Sequence, residues 1–371
     1  MEPIDPRALT VLETLEQAGY QAVLVGGCVR DLLLGRRVHD YDMATAASPE
    51  AVQALFARTV PTGIRHGTVT VLLEGASFEV TTFRADGDYP DHRRPENVRY
   101  VSDLQQDLLR RDFTVNAMAM DRRGVLTDCV GGQEDLRRGL IRCVGEPERR
   151  FEEDALRMLR AVRFSAQLGF RVEDATRAAI AACAPLCVHL SAERVRDELE
   201  KTLCSPRPQA LGELIDLGLL HAQGLDDHPD LSPLDAVPPD RLARWAMAKK
   251  LLPGLDLAAL RLEKRAVRLC TDAAAICDSL DGTLACKRAV ADFGWDAAEL
   301  AGVLAHHTQT LAAIRASGDC VTLSQLALRG DELPGVSGEA VSPALRRLLF
   351  HVLEHPEDNE KTRLLALLEE S

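Results

Sequence analysis

The stretch Leu24-Val-Gly-Gly-Cys-Val-Arg-Asp31, followed by His39-Asp-Tyr-Asp42, constrains this chain more than any other. Val23-Leu24-Val25 reads as a buried strand that stops at Gly26-Gly27. Cys28 to Leu34 reads as a short helix whose N-terminus faces the glycine turn. Backbone N–H groups at such a turn can cradle a phosphate, and the missing side chains let it come close. Arg30, one turn into the helix, can add a cationic clamp. Asp40 and Asp42 are two apart, so on a strand both carboxylates share a face. Two such charges repel unless a divalent cation sits between them, and their hard oxygens suit Mg²⁺ completed by substrate phosphates. A phosphate cradle followed by a metal-binding acid pair is equipment for moving a nucleotidyl group.

The length, 371 residues, allows two or three domains and a sizeable core. At 46% hydrophobic the chain is globular rather than disordered. The net charge of −13 excludes a coat of positive charge, but nucleic-acid binding needs only a local basic surface. Ten scattered cysteines without a C-x-x-C pair read as reduced thiols. The acidic, proline-bearing start is unlike a secretory leader, and no long apolar run suggests a membrane span. The expected location is cytoplasmic.

The first 130 or so residues mix strand and helix signals. Ser48 to Ala57 reads as a helix capped by Ser48, with Pro49 at its first position. Thr68 to Leu73 and Phe78 to Phe83 flank Glu74-Gly75-Ala76 as a hairpin. Residues 85–100 read as a long polar loop, a length usually functional or disordered inside a compact domain. Ser102 to Arg110 reads as a helix capped by Ser102, and 117–120 with 125–128 as a last hairpin. From about 133 onward helical periodicity dominates, with helices expected at 147–169, 173–183, 192–204, 208–217, 241–251, 257–280 and 343–354. The architecture expected is an α/β head joined to an all-α body and tail.

Three further clusters carry possible chemistry. Glu79, on the second hairpin strand, is the best candidate for a third acid; an exposed edge-strand glutamate would look the same. Arg110-Arg111-Asp112-Phe-Thr-Val-Asn116 offers arginines for a triphosphate and Asp112 and Asn116 for ribose hydroxyls, or a solvated helix end. In Glu152-Glu153-Asp154-Ala-Leu-Arg157-Met-Leu-Arg160-Ala-Val-Arg163, a helix at about 100° per residue puts Glu153, Arg157 and Arg160 on one face. The plain reading is a helix laced with weak ion pairs. The sharper one is a base reader. An Asp accepts from the exocyclic amine of cytosine or adenine and repels the carbonyl that guanine or uracil presents there, while an Arg donates to the ring acceptors.

The Leu24–Asp42 stretch, the Arg110–Asn116 string and the Glu153–Phe164 string, in this order, resemble the class II tRNA nucleotidyltransferases, the CCA-adding enzymes, with bacterial poly(A) polymerases as close relatives. The resemblance covers roughly residues 20–170. It implies an α+β fold: a nucleotidyltransferase head (mixed sheet with flanking helices, 1–135), then an all-α neck that recognises the base (136–205), and a helical body and tail that bind tRNA (206–371). It implies that Asp40 and Asp42 hold catalytic Mg²⁺ and that Glu79 takes the third acidic position. Gly26, Gly27 and Arg30 would hold the triphosphate, and Arg111, Asp112 and Asn116 phosphate and ribose. Glu153, Asp154 and Arg157 would template the incoming base, with Arg160 and Arg163 in support. The loop at 85–100 matches one that helps the switch from C to A addition.

The partners implied are the tRNA 3′ end, CTP and ATP, with no membrane and no DNA. A downstream His-Asp domain is not seen, since the His-Asp dipeptide at 39–40 lies inside the first motif, so phosphodiesterase activity is not expected. The rival activities are CC-only addition, which the full-length loop disfavours, and poly(A) synthesis, disfavoured by the acidic charge. A-only addition shares the base-reading motif. A non-catalytic tRNA-binding protein would have no need of the paired acids.

Overall fold

A computed structural model describes residues 3–64, 67–86, 98–101, 103–227 and 229–369. All four residues of β1 (Ala22–Val25) are buried. A strand with no polar face needs cover on both sides and partners along both edges. β1 accordingly lies mid-sheet, antiparallel to β2 (Asp42–Thr45) and to β8 (Met118–Met120). The full sheet continues through β3 (Thr59–Gly63), β4 (Thr68–Leu73), β5 (Ala76–Thr82) and β9 (Leu126–Asp128), in the order β3-β4-β5-β2-β1-β8-β9. The β2–β5 pair is parallel and its other pairs antiparallel, so the sheet is mixed. The β4–β5 turn forms where expected, with Glu74 and Gly75 both at positive φ, as a tight hairpin requires.

Helices α1 (Pro6–Gln17), α2 (Gly27–Leu33), α3 (Pro49–Leu55) and α4 (Leu104–Leu109) flank this sheet. Ser48 caps α3 as expected, accepting from the Ala51 N–H. Leu104 and Leu108 of α4 bury against Val23, Val25, Ala44, Phe83 and Ala119. The cap of α4 is Asp103, which accepts from the Gln105 N–H; Ser102 lies outside the described residues. The segment 85–100 is not loop throughout. Its ends pair as an antiparallel ribbon, β6 (Arg84–Asp86) with β7 (Val98–Tyr100), while 87–97 lie outside the described residues.

Beyond the sheet come α5 (Gly132–Arg138), α6 (Pro147–Glu153), α7 (Leu156–Leu168), α8 (Asp174–Cys183), α9 (Ala192–Leu203) and α10 (Leu211–Asp216). A two-residue parallel ribbon, β10 (Leu140–Ile141) with β11 (Arg171–Val172), interrupts the helical texture. The helix expected over 147–169 is two helices, because Asp154 takes an extended conformation (φ −150°, ψ 103°). The helix expected over 257–280 starts only at Lys264, as α12 (Lys264–Ile276), preceded by α11 (Arg241–Leu251). Asp256 accepts from the Ala258 and Ala259 N–H groups and closes a turn ahead of it, and Arg261 is left-handed (φ +61°). An Asx turn of this kind competes with helix.

The chain forms two compact units, Met1–Ala222 and Gln223–Ser371. In the second, α11 and α12 pack with α14 (Trp295–Leu304) around the buried Trp245, Cys270, Ala273 and Ala301. Every residue read above as catalytic or nucleotide-binding lies in the first unit. No helix among the described residues is long and apolar enough to cross a membrane.

Candidate active site

The glycine turn is built for close approach. Gly26 caps α2 at φ +76° and ψ −138°, a conformation that side-chain-bearing residues avoid. A Cβ there would stand 3.3 Å from Arg111 Nη1 and 3.6 Å from Asp42 Oδ2. A bare backbone turn, a guanidinium and the second aspartate of the acid pair therefore meet at one point. Arg111 is held there by Asp107, whose two oxygens take Arg110 Nη2 at 2.7 Å and Arg111 Nη2 at 3.0 Å. Burial alone would raise the Asp107 carboxyl, but the two arginines outweigh it and hold it below the usual range. Arg111 Nε remains buried with no partner, a donor awaiting an acceptor. The sequence reading passed over Asp107; its signal was the spacing of three and four to Arg110 and Arg111 at a helix end.

Parallel pairing of β2 with β5 sets Asp42 directly beside Glu79. Asp40 falls two residues before the strand rather than on it, but its charge still reaches Asp42. Burial, then Glu79, then Asp40 push the Asp42 carboxyl above its ordinary value, and Arg111 offsets only part. Asp42 keeps an edge in solvent, so water screens some of this repulsion. A carboxylate whose charge its neighbours resist is one that a divalent cation would relieve, and the donors are hard oxygens. Among the described residues no three acidic, His or Cys side chains converge into a ready-made cage. The fit is thus to a cation held by a couple of carboxylates with its other positions left to water and substrate.

Arg30 folds back over the turn and is buried. Its Nε and Nη2 donate to Asp31, and its Nη1 to Asn116 Oδ1 at 2.8 Å. Asp112 accepts from Arg160 Nε at 2.7 Å. Burial would raise the Asp112 carboxyl, yet Arg160, Arg157 and the Phe113 N–H bring it down to about 2. The three motifs meet at Phe164: its ring packs edge-on against Phe113, and the Arg30 and Arg160 guanidinium carbons stand 5.4 and 5.1 Å from its centroid. These cation–π contacts make Phe164, the residue directly after Arg163, a hub that the sequence reading gave no role.

The cluster read above as a candidate base reader lies at the break between α6 and α7. Glu153 Oε2 accepts from Arg150 and Arg157 at 2.7 and 2.8 Å. Arg157 also donates to the backbone carbonyls of Arg150 and Arg110. Asp154 uses Oδ1 for the Leu156 N–H and Oδ2 for Arg194 Nη2 at 2.8 Å. Arg163 is buried, donating to Glu198 and Gln167, and its guanidinium carbon stands 3.9 Å from the Phe164 centroid. Cys187 is buried, its thiol pushed up to about 12, so it is not poised as a thiolate ligand.

Comparison with known proteins bears on this arrangement. Residues 22–142 match the Poly A polymerase head domain, and 169–223 match the probable RNA and SrmB-binding site of polymerase A. The CCA-adding enzyme of Geobacillus kaustophilus is 40% identical over all of this chain and 98% of its own length. The chain belongs to the CCA-adding enzyme family. The enzyme of Geobacillus thermodenitrificans is 54% identical over a shorter match, 59% of this chain and 54% of that protein. The crystal structure of the Bacillus stearothermophilus CCA-adding enzyme in complex with CTP superposes with a TM-score of 0.86 at 36% identity, covering 99% and 98% of the two chains. The Thermotoga maritima enzyme complexed with tRNA, at 19% identity and a TM-score of 0.68, shares the fold. The shared fold is the α+β head and helical body expected from sequence, and family nucleotidyltransferases generally use divalent metal ions.

Proposed function

We propose that this protein adds CCA to the 3′ end of tRNA from CTP and ATP, without a nucleic-acid template and with release of pyrophosphate. The observation that carries it is the meeting of Gly26, Arg111 and Asp42 within van der Waals reach of one point. In this reading the glycine turn, Arg30 and the orphaned Nε of Arg111 hold the triphosphate. Asp112 and Asn116, fixed by Arg160 and Arg30, present their remaining acceptors to ribose. Asp40 and Asp42 would hold Mg²⁺, with Glu79 beside Asp42 as the third acid. The metal would supply a more acidic 3′ hydroxyl and a counter-charge for the α-phosphate it attacks. Asp154 takes the exocyclic amine, and Glu153 braces Arg157, whose donors face the ring.

We assign 1–135 to the catalytic head, 136–205 to a base-recognising neck and 206–371 to tRNA binding, in the cytoplasm. Lys249 and Lys250 are engaged by local carbonyls and by Asp278. The exposed Lys264 and Arg268, beside a hollow of about 600 Å³, are better placed for RNA phosphates.

The test is incubation with tRNA ending at the discriminator base, in C and in CC, each with CTP, ATP or both, and sequencing of the 3′ ends. CTP alone should give CC, and both nucleotides CCA. A-addition confined to RNA already ending in CC, or long A tracts, would replace this reading with A-only or poly(A) synthesis.

A further inference from the structure

Arg194 lies outside all three motifs, on α9, yet it meets Asp154. Its Nη2 donates to Asp154 Oδ2 at 2.8 Å, and both side chains are mostly buried. The other oxygen of Asp154 is fixed by the Leu156 N–H. Asp154 therefore has both oxygens oriented, one by the start of α7 and one by a cation from a separate helix. Arg194 Nη1, on the same rigid fork, is buried with no partner. A buried donor without an acceptor is costly to keep. Four residues on, on the same face of α9, Glu198 pairs with Arg163 of α7. One face of α9 thus supplies a cation to Asp154 and an anion to the helix behind it.

We infer that Arg194 is a positioning residue that aims and neutralises the Asp154 carboxylate, and through it sets which nucleotides are admitted. The inference rests on the base-reading role proposed for Asp154. A fixed carboxylate accepts an amine and repels a carbonyl at one defined place; a carboxylate free to turn away discriminates less between the two. Pairing with a guanidinium holds it in place.

The experiment measures kcat and KM for CTP, ATP, UTP and GTP on a defined tRNA. The proteins are wild type, Arg194→Gln, Arg194→Lys, Asp154→Ala and the Asp154→Ala/Arg194→Gln double variant, each checked for folding by thermal melting. Loss of this charge-assisted bond should cut the preference for C over U roughly 10- to 150-fold in Arg194→Gln. Arg194→Lys, which keeps the cation, should recover much of it. In the Asp154→Ala background the second substitution should change selectivity no further. An equal loss for all four nucleotides, unchanged selectivity in Arg194→Gln, or multiplying effects in the double variant would each overturn the inference. If Arg194→Gln does not fold, Arg194→Lys decides, since loss of the fork should still lower selectivity measurably and an unchanged ratio overturns the role. If wild type itself shows no preference for C and A, the base-reading role of Asp154 has failed first, and that of Arg194 falls with it.

Discussion

At the residue scale, two aspartates are strained in opposite senses. Asp42 has a raised carboxyl pKa, so the fold disfavours its ionised form. That penalty is absent below the ordinary value of 3.8 and fully present above the raised one. Asp42→Asn should therefore raise the melting temperature of metal-free protein at neutral pH while removing activity, and the gain should vanish near pH 3. A variant less stable than wild type at both pH values would disprove the repulsion. Asp42→Ala and Asp40→Ala should lower turnover by orders of magnitude with the fold retained; near-normal turnover in a folded variant removes the metal-site assignment. Asp112 is the converse, held down to about 2. Its contribution is complete above 3.8 and is lost as pH falls through about 2. Asp112→Asn should be destabilising at pH 6, with a deficit that shrinks between pH 4 and 2 in pH-resolved denaturation.

At the element scale, the informative feature is the interruption between α6 and α7. A continuous helix would bury the Asp154 backbone in its own hydrogen bonds. The break instead frees the residue to bind the Leu156 N–H and face Arg194. Asp154→Asn keeps a short side chain able to accept from that N–H but gives up the charged bond to Arg194, so stability should fall by roughly 1.5–3 kcal/mol with the fold retained. Its amide can donate to a carbonyl oxygen, so U or G should be incorporated at a higher relative rate. Retained C and A selectivity would place base reading elsewhere. Helix α4 shows the same coupling of element to site. Asp107 is buried and holds both arginines at the helix end. Asp107→Asn should cost roughly 3–5 kcal/mol, as breaking a buried pair does. It should also raise KM for CTP and ATP alike, since Arg111 serves the triphosphate rather than the base; a loss confined to one nucleotide would contradict that.

At the scale of the whole molecule, a chain with a net charge of −13 is read here as binding a polyanion. Binding must then rest on local cations, and each phosphate neutralised adds about 0.9 to the log–log salt slope. Raising monovalent salt from about 50 to about 200 mM should weaken tRNA binding on the order of tenfold for every two phosphates contacted. Lys264→Ala/Arg268→Ala should reduce that slope without changing C-versus-A selectivity. An unaltered slope would move the RNA surface away from α12. Selectivity stays separate because the base-reading residues belong to the first compact unit and these cations to the second.

The sequence by itself determined the strand–glycine–helix start, the hairpin carrying Glu79 and the family, but it put Asp40 on the strand that starts only at Asp42. Each is a local pattern: a period, a turn pair or a fixed string. It also placed the helical second half, because 3.6-residue periodicity survives without tertiary information. What it did not determine was which distant groups meet. Asp42 beside Glu79 follows from a parallel strand pairing with no short-range signature. Gly26 beneath Arg111 depends on Asp107 anchoring a helix end some eighty residues away in sequence. The helix over 147–169 read as continuous because its residues favour helix throughout; only contacts made by Asp154 to Leu156 and Arg194 stabilise the break. The motif spacing brought Arg163 into view, but its pairing with Glu198 and its seat on the Phe164 ring follow from packing alone. Local propensity fixes the elements, whereas partner choice for a buried charge is decided by whichever opposite charge the packed fold brings within reach.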